Sequence, residues 1–231
     1  MVELGMPEVR SFENRQALDN ALALEVSERL QGALTIRDKA YLVVSGGSTP
    51  ANLFAVLADM PIDWHRVVVL LADERWVPAD DEDRNERLVR QILLTHRASG
   101  ADFVSLIPAL DASVGDITSV LSALAHLPTF DVVLLGMGED AHTASLFPCA
   151  AELKAGMTTR DDAVVVRPQA APHTRVSLSK NRLLNTRHGM IHIVGEKKKS
   201  VFQRAIESGD EMIFPIGAFA GESGFDCWWA P

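Results

Sequence analysis

His142 is the side chain whose type and setting best suit acid–base chemistry. It ends the run Gly136-Met137-Gly138-Glu139-Asp140-Ala141-His142, which follows the apolar segment Val132–Leu135. A neutral imidazole can take a proton from water, and a carboxylate such as Asp140, two positions away, can fix its tautomer or favour its charged form. The two glycines let the backbone turn tightly or approach a ligand closely. The competing reading is a hydrogen-bonded histidine at a helix cap, because Thr143 to Leu146 reads as a helical turn stopped by Pro148.

Two other stretches carry chemistry-bearing residues. Gly46, Gly47 and Ser48 turn the chain after an apolar run, where free backbone N–H groups suit an oxyanion; an ordinary turn and helix cap is the bland alternative. Asp73, Glu74 and Arg75 follow another apolar run. Arg75 offers a planar fork to phosphate, and an acid can orient it; a salt-bridged strand end is the alternative. Arg175 and Lys198 can add positive charge to the same pocket or face solvent. None of the glycine-rich pieces matches a Walker loop, a dinucleotide fingerprint or a serine-hydrolase elbow. The histidines show no metal-ligand spacing, nothing requires a metal, and Cys149 and Cys227 make no disulfide framework.

These residues must be held by repeated strand–helix units. Helical periodicity marks residues 14–34, about 50–59, roughly 84–94, and 114–125, with a short helix over 180–184 and another after Gly195. Compact apolar runs at 40–45, 66–71 and 132–135 read as buried parallel strands, with an edge strand near 103–107 and a further strand at 190–194. Short strands at 163–167 and 174–178 flank a Pro-Gln-Ala-Ala-Pro-His turn. The tail carrying Trp228 and Trp229 reads as a packed terminal element. The expected fold is a Rossmann-like three-layer αβα sandwich with a mainly parallel sheet, forming one domain over residues 1–231. In such a sheet ligands bind at the carboxyl ends of the strands, where all three polar stretches fall.

Composition narrows the partners. A 231-residue chain with 47% hydrophobic and 23% charged residues suits a globular domain. A formal net charge of −9 argues against non-specific nucleic-acid or anionic-membrane binding, but leaves room for a small anion in a locally basic pocket. The N-terminus shows no signal-peptide pattern and no apolar stretch has membrane-spanning length, so a reducing, cytoplasmic setting is expected. Monomer and homodimer are not distinguished by these features.

Taken together and in order, Ser45–Pro50 (SGGSTP), Ala72–Pro78 (ADERWVP), Gly136–Pro148 (GMGEDAHTASLFP), Arg175–Ser179 (RVSLS) and Val194–Lys198 (VGEKK) resemble the 6-phosphogluconolactonase family. That family lies within the glucosamine-6-phosphate isomerase/deaminase-like superfamily, and Asn85 stands where the family also carries asparagine. The resemblance implies hydrolysis of 6-phospho-D-glucono-1,5-lactone to 6-phospho-D-gluconate, in the oxidative pentose phosphate pathway, with no organic cofactor. It carries a base role to His142, phosphate-site roles to Arg75, Arg175 and Lys198, and a ligand-facing role to Gly46, Gly47 and Ser48. A sugar-6-phosphate deaminase or isomerase, drawing a proton with acids near Asp73 and Asp140, is the alternative enzyme; a non-catalytic sugar-phosphate sensor is the other alternative. Two positions depart from the family pattern: Ala141 replaces glycine, which is harmless if its φ is negative, and Arg84 replaces serine, with a substrate-facing or solvent-facing side chain expected.

Overall fold

Strands that read as unbroken apolar runs need cover on both faces, and the architecture supplies it. The structure, a computed structural model, describes residues 9–107, 114–220 and 224–231. Its strands are β1 (Val9–Ser11), β2 (Ala40–Val44), β3 (Val67–Leu71), β4 (Asp73–Arg75), β5 (Asp102–Val104), β6 (Phe130–Gly136), β7 (Ala163–Val166), β8 (Arg175–Leu178), β9 (Thr186–Val194) and β10 (Phe225–Ala230). The helices are α1 (Arg15–Ile36), α2 (Ala51–Ala58), α3 (Asn85–Leu88, continued by a π-helical turn over Val89–Leu93), α4 (Ile117–Leu124), α5 (Leu153–Thr158), α6 (Lys180–Leu184) and α7 (Glu196–Ser208).

Seven strands form one parallel sheet in the order β1-β10-β9-β6-β2-β3-β5. All five residues of β3 are buried, as expected for a central strand covered on both sides. Helix α1 lays Leu18, Leu22, Val26 and Leu30 in a fully buried stripe and packs on α2, β2, β6 and β10; α7 packs against β9. Asn14 starts α1 by accepting the Ala17 N–H at 2.9 Å, a cap worth about 1 kcal/mol. The result is the expected sandwich of helices around a mostly parallel sheet. No helix among the described residues is long and apolar enough to cross a membrane.

Chain direction decides where a site can form. From β2 the chain moves to β3 and β5 on one side, then returns to β6, β9 and β10 on the other. The reversal lies between β2 and β6, and it opens a crevice at their carboxyl ends. Val44 is level with Leu134, and Ser45 N–H donates to the Leu134 carbonyl at 3.0 Å. The Gly46–Ser48 turn and the Gly136–His142 segment therefore leave the sheet side by side.

The second sheet was not legible as such. Residues 163–166 and 175–178 do form the expected short strands, but β8 also pairs with β4, giving an antiparallel order β4-β8-β7. Its register sets Arg75 directly opposite Arg175. The tail does pack, and it does so as β10, inserted between β1 and β9.

One local expectation is corrected and two open readings are decided. Thr143–Leu146 is not a helical turn: Thr143 and Leu146 form an isolated antiparallel bridge, with Ala144 at φ 48°. Contacts outside the segment impose this, since Thr143 Oγ1 donates to the Gly136 carbonyl at 2.8 Å and Ser145 N–H donates to Ser177 Oγ at 3.1 Å. Neither Ser48 nor Thr49 caps α2; Pro50 occupies the cap, and the Thr49 carbonyl instead accepts from Arg15 at 2.7 Å. Ala141 adopts φ 66°, the left-handed region, rather than a negative value.

Candidate active site

A cleft of about 230 Å³ opens at the carboxyl ends of β2, β4, β6 and β9. Gly46, Gly47 and Ser48 line one wall, Asp73, Arg75 and Arg175 another, and His142 and Lys198 complete it. The polar stretches expected to converge do so.

On the β6 side, Asp140 Oδ1 accepts from His142 Nδ1 at 2.5 Å. With an acceptor there, the neutral ring carries its proton on Nδ1 and keeps a lone pair on Nε2. The imidazole also stacks on Phe147, with ring centroids 4.0 Å apart, which fixes its plane. Burial alone would push the Asp140 carboxyl upward; the hydrogen bond and charge of His142, with backbone N–H groups, outweigh it and hold the carboxyl below the usual range. Asp140 and His142 can meet this closely because residue 138 is glycine. A Cβ there would stand 2.3 Å from the imidazole and 2.6 Å from Asp140 Oδ1.

The backbone between them is strained rather than relaxed. Ala141 is fully buried; its N–H donates to the Gly138 carbonyl at 3.1 Å, and its own carbonyl accepts from Ile216 at 3.1 Å. The Gly138 N–H in turn donates to the His142 carbonyl at 2.9 Å. These contacts over-determine a conformation costing an alanine about 1–2 kcal/mol. They also occupy the Gly138 and Ala141 N–H groups, while Gly136 N–H donates to Ser45 Oγ at 3.1 Å. Among the described residues, the N–H groups of Gly46, Gly47 and Ser48 make no hydrogen bond. The β2 turn therefore presents uncommitted donors to the cleft.

The opposite wall is cationic. Arg75 spends one donor on the Asp83 carbonyl at 2.7 Å. Arg175 is nearly buried, with Nη1 3.8 Å from Asp73 Oδ2. Burial lowers its affinity for a proton most, Asp73 opposes that, and the Arg75 charge reinforces it. Two guanidinium-bearing residues placed opposite in a sheet repel unless an anion lies near them. Lys198 makes no hydrogen bond or ion pair among the described residues; burial, reinforced by Arg15 and opposed by Glu139, pushes its ammonium below the usual lysine range. Asp73 is itself anchored, accepting from Ser145 Oγ at 2.6 Å. The arrangement offers an oriented proton acceptor on one side and an anion cradle on the other.

Several site residues escaped the sequence reading. Asn85 donates from Nδ2 to the Asp73 carbonyl at 3.1 Å and fills the space beside Gly46, where a Cβ would fall 2.1 Å from its Oδ1. Its place in the family pattern was the only signal. Ser145 and Ser177 act through contacts remote in sequence, and Phe147 through a ring contact within its own motif. His192 lines the cleft with Nε2 3.1 Å from the buried Asp19. Arg84 faces neither substrate nor solvent: it is 6% exposed, donates to the Val77 and Ile107 carbonyls at 2.9 and 3.1 Å, and pairs with Glu86 at 3.1 Å. Among the described residues, no group of three His, Cys, Asp or Glu side chains is arranged to hold a metal.

Comparison with known proteins bears on the same chain length. A family model described as glucosamine-6-phosphate isomerases/6-phosphogluconolactonase matches residues 13–229. A 6-phosphogluconolactonase of Pseudomonas putida is 36% identical, covering 99% of this chain and 96% of that protein. One from Rhizobium meliloti is 39% identical, covering 95% and 97%. A crystal structure of a 6-phosphogluconolactonase from Shewanella baltica matches with TM-score 0.93 at 44% identity, over 98% of this chain and all of that one. A match across nearly the whole chain, including the segments that build the cleft, places this protein in the 6-phosphogluconolactonase family of the glucosamine-6-phosphate isomerase superfamily.

Proposed function

We propose that the protein hydrolyses 6-phospho-D-glucono-1,5-lactone to 6-phospho-D-gluconate. The observation that carries the reading is a cleft in which His142, held by Asp140 from behind, shares the lining with Arg75, Arg175 and Lys198. The cations and the free N–H groups of Gly46–Ser48 hold the phosphate. That fixed end orients the lactone and turns remote binding into correct placement at the reacting carbon.

His142 Nε2 then takes a proton from water as the oxygen adds to the lactone carbonyl carbon. Asp140 stabilises the imidazolium so formed. When the tetrahedral adduct collapses, the bond from that carbon to the ring oxygen breaks. The imidazolium returns its proton to the departing oxygen, and the carboxylic acid product ionises. Asp73 holds the cationic wall in shape through Ser145 and Arg175.

The test follows lactone disappearance with wild type and His142→Ala beside an uncatalysed control. Wild type should accelerate the loss, and the variant should be slower by about 100-fold or more. Equal turnover by the two proteins would remove His142 as the base. Deamination of glucosamine 6-phosphate without loss of lactone would replace the hydrolase reading with the deaminase one.

A further inference from the structure

Glu74 is fully buried beneath the cleft, between Asp73 and Arg75, and the proposed chemistry gives it no part. Its carboxylate is nevertheless the meeting point of two segments. Oε1 accepts the Arg75 N–H at 2.7 Å and the Asn85 N–H at 2.8 Å. Oε2 accepts the Glu86 N–H at 2.7 Å and lies 3.5 Å from Arg84 Nε. Asn85 in turn holds the Asp73 carbonyl and stands against Gly46. One side chain thus ties the strand bearing Arg75 to the first turn of α3, and through Asn85 to the Gly46–Ser48 turn.

We infer that Glu74 is a positioning residue for the anion-binding wall, and that its ionised carboxylate is what sets the spacing between Arg75 and the Gly46–Ser48 turn. Each oxygen is used as an acceptor, so a protonated carboxyl must turn a donor toward groups that are themselves donors. Burial pushes the carboxyl up to about 7, against the pull of the Glu86, Asn85 and Arg75 N–H groups and the Arg84 charge. The device therefore switches near neutral pH.

The other charges around it are accounted for. Arg84 faces Oε2; the Glu86 carboxylate turns away to Arg84, Arg90 and Ser105; and Arg175 feels the Glu74 charge from β8. An ionised Glu74 also repels an anion in the cleft. Arg84, at 3.5 Å, offsets that field as the other half of a buried pair, so loss of geometry outweighs loss of repulsion.

The inference rests on the lactonase reading for its ligand. It is tested by calorimetric binding of 6-phosphogluconate to wild type and Glu74→Gln across neutral pH, with turnover measured in parallel. Glutamine is isosteric but neutral, and its amide opposes Glu86 N–H and Arg84. Well above the switch, at about pH 8.5, the dissociation constant of Glu74→Gln should exceed that of wild type roughly tenfold, the effect of one charge-assisted hydrogen bond. The ratio should fall toward one at about pH 5.5, where both side chains are neutral. Phosphate ionisation cancels in the ratio.

A ratio near one throughout, or one above unity but independent of pH, overturns the inference, the second because a purely structural lesion gives it. If Glu74→Gln does not fold, Arg84→Met tests the same point in the native carboxylate: removing its charged partner must move the step in wild-type affinity to higher pH, and an unmoved step overturns the inference. Binding with the expected ratio but no enzyme-dependent lactone loss would reject the lactonase reading alone. Turnover with a flat ratio would reject the Glu74 role alone.

Discussion

Asp140 Oδ1 meets His142 Nδ1 at 2.5 Å across a glycine that leaves room for nothing larger. The pair forms within one short segment, so its geometry depends on local backbone conformation more than on the docking of distant elements. Asp140 has its carboxyl held low, so it stays ionised through neutral pH and down into the acid range. Its stabilising contact is present above the ordinary carboxylate range and is lost only as pH falls through the depressed folded value.

Asp140→Asn tests that relationship. Asparagine can still accept from Nδ1–H, but it carries no charge to stabilise the imidazolium. Turnover should drop by about tenfold or more, with KM little changed, because the charge matters when the proton has moved. Steady-state kinetics read this directly. A rise in KM at constant kcat would assign Asp140 to substrate binding instead.

Lys198→Met removes an ammonium that pairs with no group among the described residues. Its apolar stem packs much as the lysine stem does, so the fold should tolerate the change. KM for the lactone should rise by about tenfold or more with a smaller change in kcat, since the phosphate is bound equally in ground and transition states. An unchanged KM would place Lys198 outside the anion site.

Gly46→Ala sets a methyl group 2.1 Å from Asn85 Oδ1. Asn85 is short, buried and tied to the Asp73 carbonyl, so it has little room to swing away. Overpacking of this kind should cost about 1–3 kcal/mol in a denaturant titration and should weaken substrate binding as the turn is displaced. Gly47, at φ 93° with open space around its Cβ position, should fail for a different reason, backbone strain alone.

The parts of the fold that were legible in the sequence are those set by local pattern. The runs at 66–71 and 132–135 read as buried strands with polar motifs at their carboxyl ends, and they form β3 and the middle of β6. The pairing of β4 with β8 was hidden because the Arg75–Arg175 register is a long-range choice that neither segment records. Thr143–Leu146 misled because its composition permits a helical turn, whereas Gly136, Asp73 and Ser177 claim its polar groups. Arg84 misled because arginine is seldom buried; only the carbonyls and carboxylates around it make its position tenable. The site residues expected from motifs line one cleft, except Asp140, which reaches it through His142, but most of the residues that hold them in place came from the structure.

Ala141→Gly removes the left-handed penalty of about 1–2 kcal/mol, but it gives back a buried methyl worth about 0.8 kcal/mol and some unfolded-state entropy. The terms nearly cancel, so the urea midpoint should move by the equivalent of less than about 1 kcal/mol. Turnover should stay within about twofold of wild type, because the Gly138, His142 and Ile216 backbone bonds still hold the segment. A loss of stability beyond that range would show that the methyl, not the backbone, is what the site requires at 141.

Glu74 predicts an inverted pH dependence of stability. Its folded carboxyl sits near 7, above the ordinary value of 4.5, so the native state holds a proton that the unfolded chain has released. Stability from this group is therefore fully present below about 4.5 and is lost as pH rises through about 7, by a total of roughly 3 kcal/mol. Glu74→Gln is neutral throughout, so its unfolding free energy minus that of wild type should become more favourable to the variant as pH rises across this window. Denaturant titrations at several pH values measure the difference. A pH-independent difference would mean that the three backbone N–H groups and Arg84 fully compensate the buried charge. The charged form that orders the anion-binding wall is then also the form that the fold tolerates least, so stability is lost at the same residue where binding geometry is gained.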